Sequence, residues 1–112
     1  MESSSDSEAE REAVKQDLKN AKINHSDLTK DMEVKAIRYA VEAISKSTLD
    51  KDAGSYLKQK LDTDPDFQGG GDGAWQVVIG RSFAASLTYA THYLMFFELL
   101  SKRRSVLIFK TQ

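Results

Sequence analysis

Cysteine is absent from the 112 residues, which removes disulfides, thiolate nucleophiles and thiolate metal sites together. That composition is compatible with a reducing compartment and makes the cytoplasm the default location. An excess of positive charge is also missing. Lys and Arg number 16 against 17 Asp and Glu, a formal net charge of -1, so nothing is available to neutralise a phosphate backbone, and nucleic acid is not an expected partner. No long apolar run occurs. The longest, Tyr93 to Phe97 followed past Glu98 by Leu99 and Leu100, falls far short of the roughly 20 residues that span a bilayer. The first ten residues, Met1 to Glu10, carry neither the basic start and apolar stretch of a secretory signal nor the arginines of a transit peptide, so no membrane partner is expected. A chain of 12.5 kDa has room for one domain, and its core is too small to enclose a large substrate cavity.

What is present before the strands falls into five stretches. Residues 1–12 are serine-rich and acidic with almost no apolar content, so they are expected to form a flexible tail ahead of a folded domain over residues 13–112. Val14 and Leu18 are spaced as on one helical turn, and Ala21, Lys22, Ile23 and Asn24 read as a short strand. Thr29 offers an N-cap, Asp31 and Glu33 lie in the first turn, and Val34, Ile37, Val41 and Ile44 recur at helical spacing, predicting an amphipathic helix to about Lys46. A second helix is expected from near Thr48, with Asp50 and Asp52 in its first turn. It buries Ala53, Tyr56, Leu57 and Leu61, tolerates Gly54, and stops at Asp64-Pro65, because proline disfavours helical geometry in the residue before it. A glycine-rich loop follows, ending in Gly69-Gly70-Gly71-Asp72-Gly73.

After the loop the period changes from helical to alternating, with β-branched and aromatic residues in four short runs. Trp75, Val77 and Ile79 share one face of the first. Phe83, Ala85, Leu87 and Tyr89 share one face of the second, with Ala84, Ser86 and Thr88 between them. Tyr93 to Leu99 forms the third, and Lys102, Arg103 and Arg104 make a solvated turn. The nearly continuous apolar run Val106 to Phe109 predicts a central strand covered on both faces.

Signals for chemistry are weak. Asp62, Asp64 and Asp66 alternate as in a calcium loop, but Phe67 stands where the sharp turn needs glycine and Gly73 where the bidentate glutamate belongs. The triple glycine lacks the Gly-Lys-Ser/Thr of a phosphate loop and leads into a strand rather than a helix. His25 and His92 have no spacing that completes a zinc set, so neither a metal nor a cofactor is expected. Ser82, Ser86 and Thr88 are hydroxyls without an identifiable base. An enzyme is therefore not expected. Its only motive is the proximity of Tyr89, His92 and Tyr93, which would suit a small catalytic or carrier pocket on the sheet.

Three segments together carry a family resemblance: Trp75-Gln-Val-Val-Ile-Gly-Arg-Ser-Phe83, Leu87-Thr-Tyr-Ala-Thr-His-Tyr93 and Leu107-Ile-Phe-Lys110. With His25-Ser-Asp-Leu and the Asp50-Lys51-Asp52 helix start, the chain from about Ile23 to Gln112 resembles the eight-kilodalton dynein light chain family. The resemblance implies an α+β fold, two helices packed on an antiparallel β-sheet, and a dimer in which one strand crosses to the partner's sheet. Residues 83–89 match the crossing strand, so Phe83, Ala84, Ala85, Ser86, Leu87, Thr88 and Tyr89 are the implied peptide contacts. Asp50 and Lys51, where the family reads a glutamine in its partners, join them, as does Phe96. Trp75, Gln76, Ser82, Phe83, Ser86, Leu87 and Thr88 are the implied dimer interface.

The chain departs from the family pattern at several points. Gln76 replaces the interface histidine whose protonation splits the family dimer, so that acid switch is expected to be absent. Ala84, Ser86 and Tyr89 replace a glycine, a tyrosine and a histidine, altering the pocket walls. The loop before Trp75 is longer than usual, and Ser101-Lys102 extends the last hairpin. Lys110-Thr-Gln112 echoes the threonine-glutamine core of the family's own partners. The resemblance implies a homodimer, or a heterodimer with another light chain, that binds dynein intermediate chains in the cytoplasm and cytoskeleton. The altered groove and acidic tail point to an axonemal member, in a cilium or flagellum. A general dimerisation hub for non-motor partners is the alternative.

Overall fold

Thr29 begins the first helix as its spacing predicts: its hydroxyl accepts from the Met32 amide at 3.3 Å, satisfying one of the free donors of the first turn. In the computed structural model, which describes residues 15–16, 18–68, 74–81 and 92–110, this helix is α1, Lys30–Lys46. The acidic tail, the five residues 69–73 and the strand expected over residues 83–89 lie outside the described residues.

The second helix, α2, spans Asp50–Thr63 and ends where Pro65 forbids another turn. The Asp64 side chain then accepts from the Asp66 amide at 2.8 Å and starts the 3-10 turn Pro65–Phe67. Among the described residues four strands join the helices: β1, Ala21–Ser26; β2, Trp75–Gly80; β3, His92–Leu99; and β4, Arg104–Lys110. They pair antiparallel in the order β1-β3-β4-β2. The expectation for Val106 to Phe109 holds. β4 lies between β3 and β2, and Ser105, Val106, Leu107 and Ile108 are buried. A β-bulge between Ile23 and His25 bends β1 at its edge of the sheet.

Both helices pack on one face of the sheet. Ala36, Ile37, Ala40 and Ala43 of α1 meet Ala53, Leu57 and Leu61 of α2 above Trp75, Met95, Phe97, Val106 and Ile108. The sequence pattern weighted the larger Val34, Val41 and Ile44, yet these stay half-buried while three alanines occupy the deepest line. Small side chains let two helices approach closely, so burial there follows volume rather than hydrophobicity. Tyr56 is likewise half-buried, its hydroxyl donating to Glu42 at 2.9 Å.

The opposite face of the sheet carries Gln76 and Val78 from β2, Leu107 from β4 and Phe96 from β3. Val78 is 46% exposed there.

Candidate functional site

α2 runs antiparallel to β2 and lies over it. At one end the Trp75 amide donates to Asp62 Oδ1 at 3.2 Å, and midway Gly54 sits above Val77. This register follows from helix periodicity, since Asp50, Gly54 and Lys58 recur at four-residue intervals and share the face turned toward the strand. Between the two elements opens a cleft of about 450 Å³, lined by Asp50, Lys51, Gly54, Ser55 and Lys58 on the helix and Gln76, Val77, Val78 and Ile79 on the strand.

β2 is the outermost strand on this side. Among the described residues β4 is its only partner, so one row of its amides and carbonyls faces away from the sheet, a template for a further strand. The N-cap of α2, Leu49, makes no side-chain capping bond, and Leu49 itself is 59% exposed.

Two ion pairs shape the helical wall. Arg104 Nε donates to Asp50 Oδ1 at 2.8 Å, joining the start of β4 to the first turn of α2. Lys58 Nζ donates to Asp62 Oδ2 at 2.8 Å.

The implied site residues separate into four groups. Asp50, Lys51 and Gln76 come together in the cleft. Trp75 points the other way, into the core at 1% exposure, and its indole N–H donates to the Phe67 carbonyl at 2.8 Å. It supports the edge strand from beneath. Phe96 belongs to β3, separated from β2 by the whole of β4, and it faces away from the helices, so it does not line the cleft. Ser82, Phe83, Ala84, Ala85, Ser86, Leu87, Thr88 and Tyr89 lie outside the described residues, as do the side chains of His92 and Tyr93. Gly54, Ser55, Lys58 and Arg104 were not anticipated as site residues. The four-residue spacing from Asp50 could have found Gly54 and Lys58, whereas nothing local links Arg104 to a partner 54 positions away.

The alternating carboxylates do not converge on a common centre. Asp62 serves Lys58 and the Trp75 amide, Asp66 pairs with Lys35, and Asp64 accepts from the Tyr39 hydroxyl and from Lys35 at 3.2 Å. Burial resists the ionisation of Asp64, but the Tyr39 hydroxyl, the Asp66 amide and the Lys35 ammonium together hold its carboxyl below the usual range. The hydrogen bond to Asp64 raises the Tyr39 hydroxyl above the ordinary tyrosine value, with burial adding to it. Among the described residues no group of His, Asp and Glu side chains is arranged to hold a metal ion, and no helix is long and apolar enough to cross a membrane.

Comparison with known proteins agrees with this geometry. The family model for dynein light chain type 1 matches residues 20–111. A cytoplasmic dynein light chain of Emericella nidulans is 31% identical over 98 residues, covering 88% of this chain and 96% of that protein. A dynein light chain of Schistosoma mansoni is 31% identical over 93 residues, covering 83% and 96%. Among solved structures, the dynein light chain-like domain of a Fasciola hepatica calcium binding protein shares the fold with a TM-score of 0.64 at 16% identity, covering 83% of this chain and 93% of that one. The corresponding domain of CsTAL3 gives 0.64 at 18% identity, covering 82% and 93%. Two helices stacked on one face of a β1-β3-β4-β2 sheet, the match across residues 20–111 and relatives of nearly equal length lead to one conclusion: the chain belongs to the dynein light chain family.

Proposed function

We propose that the chain is a non-catalytic dynein light chain subunit that dimerises and binds extended segments of dynein intermediate chains by β-strand addition. The observation that carries this reading is the cleft along β2, an edge strand faced by the N-terminal half of α2. An added strand draws affinity from backbone groups, which any sequence supplies, and selectivity from alternate side chains. In this reading residues 83–89 of a second copy pair with β2, and the intermediate-chain segment lies between that strand and the α2 wall. Gln76, Val78, Phe96 and Leu107 turn the outer sheet face toward the second copy, where burying Val78 adds hydrophobic stabilisation.

Two light chains side by side hold two copies of an intermediate chain, and bivalency raises effective affinity without new contacts. The subunit works in microtubule-based motility, in the cytoplasm and cytoskeleton, with the axoneme of a cilium or flagellum as its specific setting. Residues 1–12 form its tail and residues 13–112 its domain. Sedimentation velocity of the full chain, alone and mixed with intermediate-chain peptides, tests the proposal. A dimer that gains mass with peptide is the expected result; a monomer that takes up none of them overturns it.

A further inference from the structure

The α2 wall of the cleft carries one anion and two cations, Asp50 against Lys51 and Lys58, and its charge depends on what engages Asp50. Arg104 does so from outside the cleft, Nε to Oδ1 at 2.8 Å. Its guanidinium is also fixed at the turn ahead of β4, where Nη1 donates to the carbonyls of Lys102 at 3.4 Å and Arg103 at 3.2 Å. Arg103 adopts the left-handed conformation, φ 54°, that brings those carbonyls round. A guanidinium held at three points loses less side-chain freedom on pairing than a loose surface cation. With side-chain exposures of 22% and 35%, the pair is partly shielded from water and salt.

The countercharge of Lys58 stands behind the wall. Asp62 lies outside the cleft lining, with one oxygen on Lys58 and the other on the Trp75 amide. Lys51 forms no ion pair among the described residues. The surface offered to an incoming strand is therefore cationic.

Resting on the strand-addition reading above, we propose that Arg104 is a specificity-determining positioning residue. By occupying the Asp50 carboxylate it offsets the one anion that opposes Lys51 and Lys58 on the α2 wall, so that the cleft favours an extended segment bearing an Asp or Glu side chain over one bearing a neutral amide more strongly than it would without Arg104.

The test uses the full chain and labelled ten-residue peptides with a threonine-glutamine core, each position outside the core in turn being Glu, Gln or Lys, with binding followed by fluorescence anisotropy. At one position at least, the Glu peptide is expected to bind about threefold more tightly than the Gln peptide, and the Lys peptide more weakly than either, since a single partly exposed charge contact is worth that order. Added salt narrows the difference. Arg104→Met releases the Asp50 charge and is expected to reduce the Glu preference. Adding Asp50→Asn to Arg104→Met removes both charges and restores it, a recovery that simple loss of folding stability cannot produce. Equal binding of the Glu and Gln peptides at every position, or an Arg104→Met variant that weakens all peptides alike, overturns the role of Arg104 while leaving strand addition standing. Failure of every peptide to bind overturns both.

Discussion

Asp64 illustrates how one carboxylate can join three parts of the chain. At 6% exposure it accepts from Tyr39 of α1, from Lys35 one turn earlier and from the Asp66 amide of the turn it caps. Because its folded pKa is depressed, its contribution to stability is fully present above the unfolded value, about 3.9, and is lost as pH falls through the folded one. Tyr39 has the opposite sign. Its raised pKa gives a contribution present below about 10, lost as pH rises through the folded value. Tyr39→Phe is expected to cost about 1–2 kcal/mol at neutral pH, because it leaves a buried carboxylate short of a donor. Urea titrations from neutral pH to about pH 3 should also show a shallower loss of stability in the variant than in the wild type. The alternation of Asp62, Asp64 and Asp66 was legible, but their partners were not. Tyr39 is 25 positions from Asp64, and no periodicity joins residues on different elements.

At the scale of elements, α1, α2 and the central β4 were readable because the Thr29 cap of α1, the acidic first turns of both helices, Pro65 after α2 and the continuous apolar run of β4 mark their boundaries. β1 was visible only as a weak run of four residues. As an edge strand with four exposed positions in its middle, it has little of the alternation that marks a half-buried strand. α2 passes over β2 at Gly54, where an added Cβ would meet Val77 Cγ1 at 3.9 Å and the Val77 carbonyl at 4.0 Å, ordinary contact distances. Gly54 is thus tolerated rather than required. Gly54→Ala is expected to stabilise the fold by up to about 1 kcal/mol through helix propensity, measured as a rise in Tm. Because the new methyl enters the cleft, the same variant should weaken peptide binding, and a stabilised variant with unchanged affinity would remove Gly54 from the binding wall.

For the whole molecule, the order of the strands could not be read from periodicity, which shows where a strand is but not which neighbour it takes. The family resemblance implied two helices on an antiparallel sheet without its strand order, and the β1-β3-β4-β2 sheet places Gln76 on its outer face at the edge. An amide does not titrate between about pH 5 and 8, the interval in which a histidine changes charge. The proposed dimer is therefore expected to elute unchanged by size exclusion from neutral buffer down to about pH 5. Conversion to monomer in that interval would contradict the role given to Gln76.

The Phe67 carbonyl has a consequence at this same scale. It accepts from the Trp75 indole and from Lys110 at 3.3 Å, and Trp75 and Lys110 are themselves paired across β2 and β4. Lys110 is 4% exposed, with its ammonium 5.7 Å from the Trp75 ring centre. One end of β2 is thus bolted through the 3-10 turn to the end of α2, while the Gly80 end is tied to the start of α2 through β4, where Ser105 pairs with Gly80 and the adjacent Arg104 holds Asp50. The two moorings differ in shielding, a buried ammonium and indole at the Trp75 end against a partly exposed ion pair at the Asp50 end, so added salt weakens the second far more than the first.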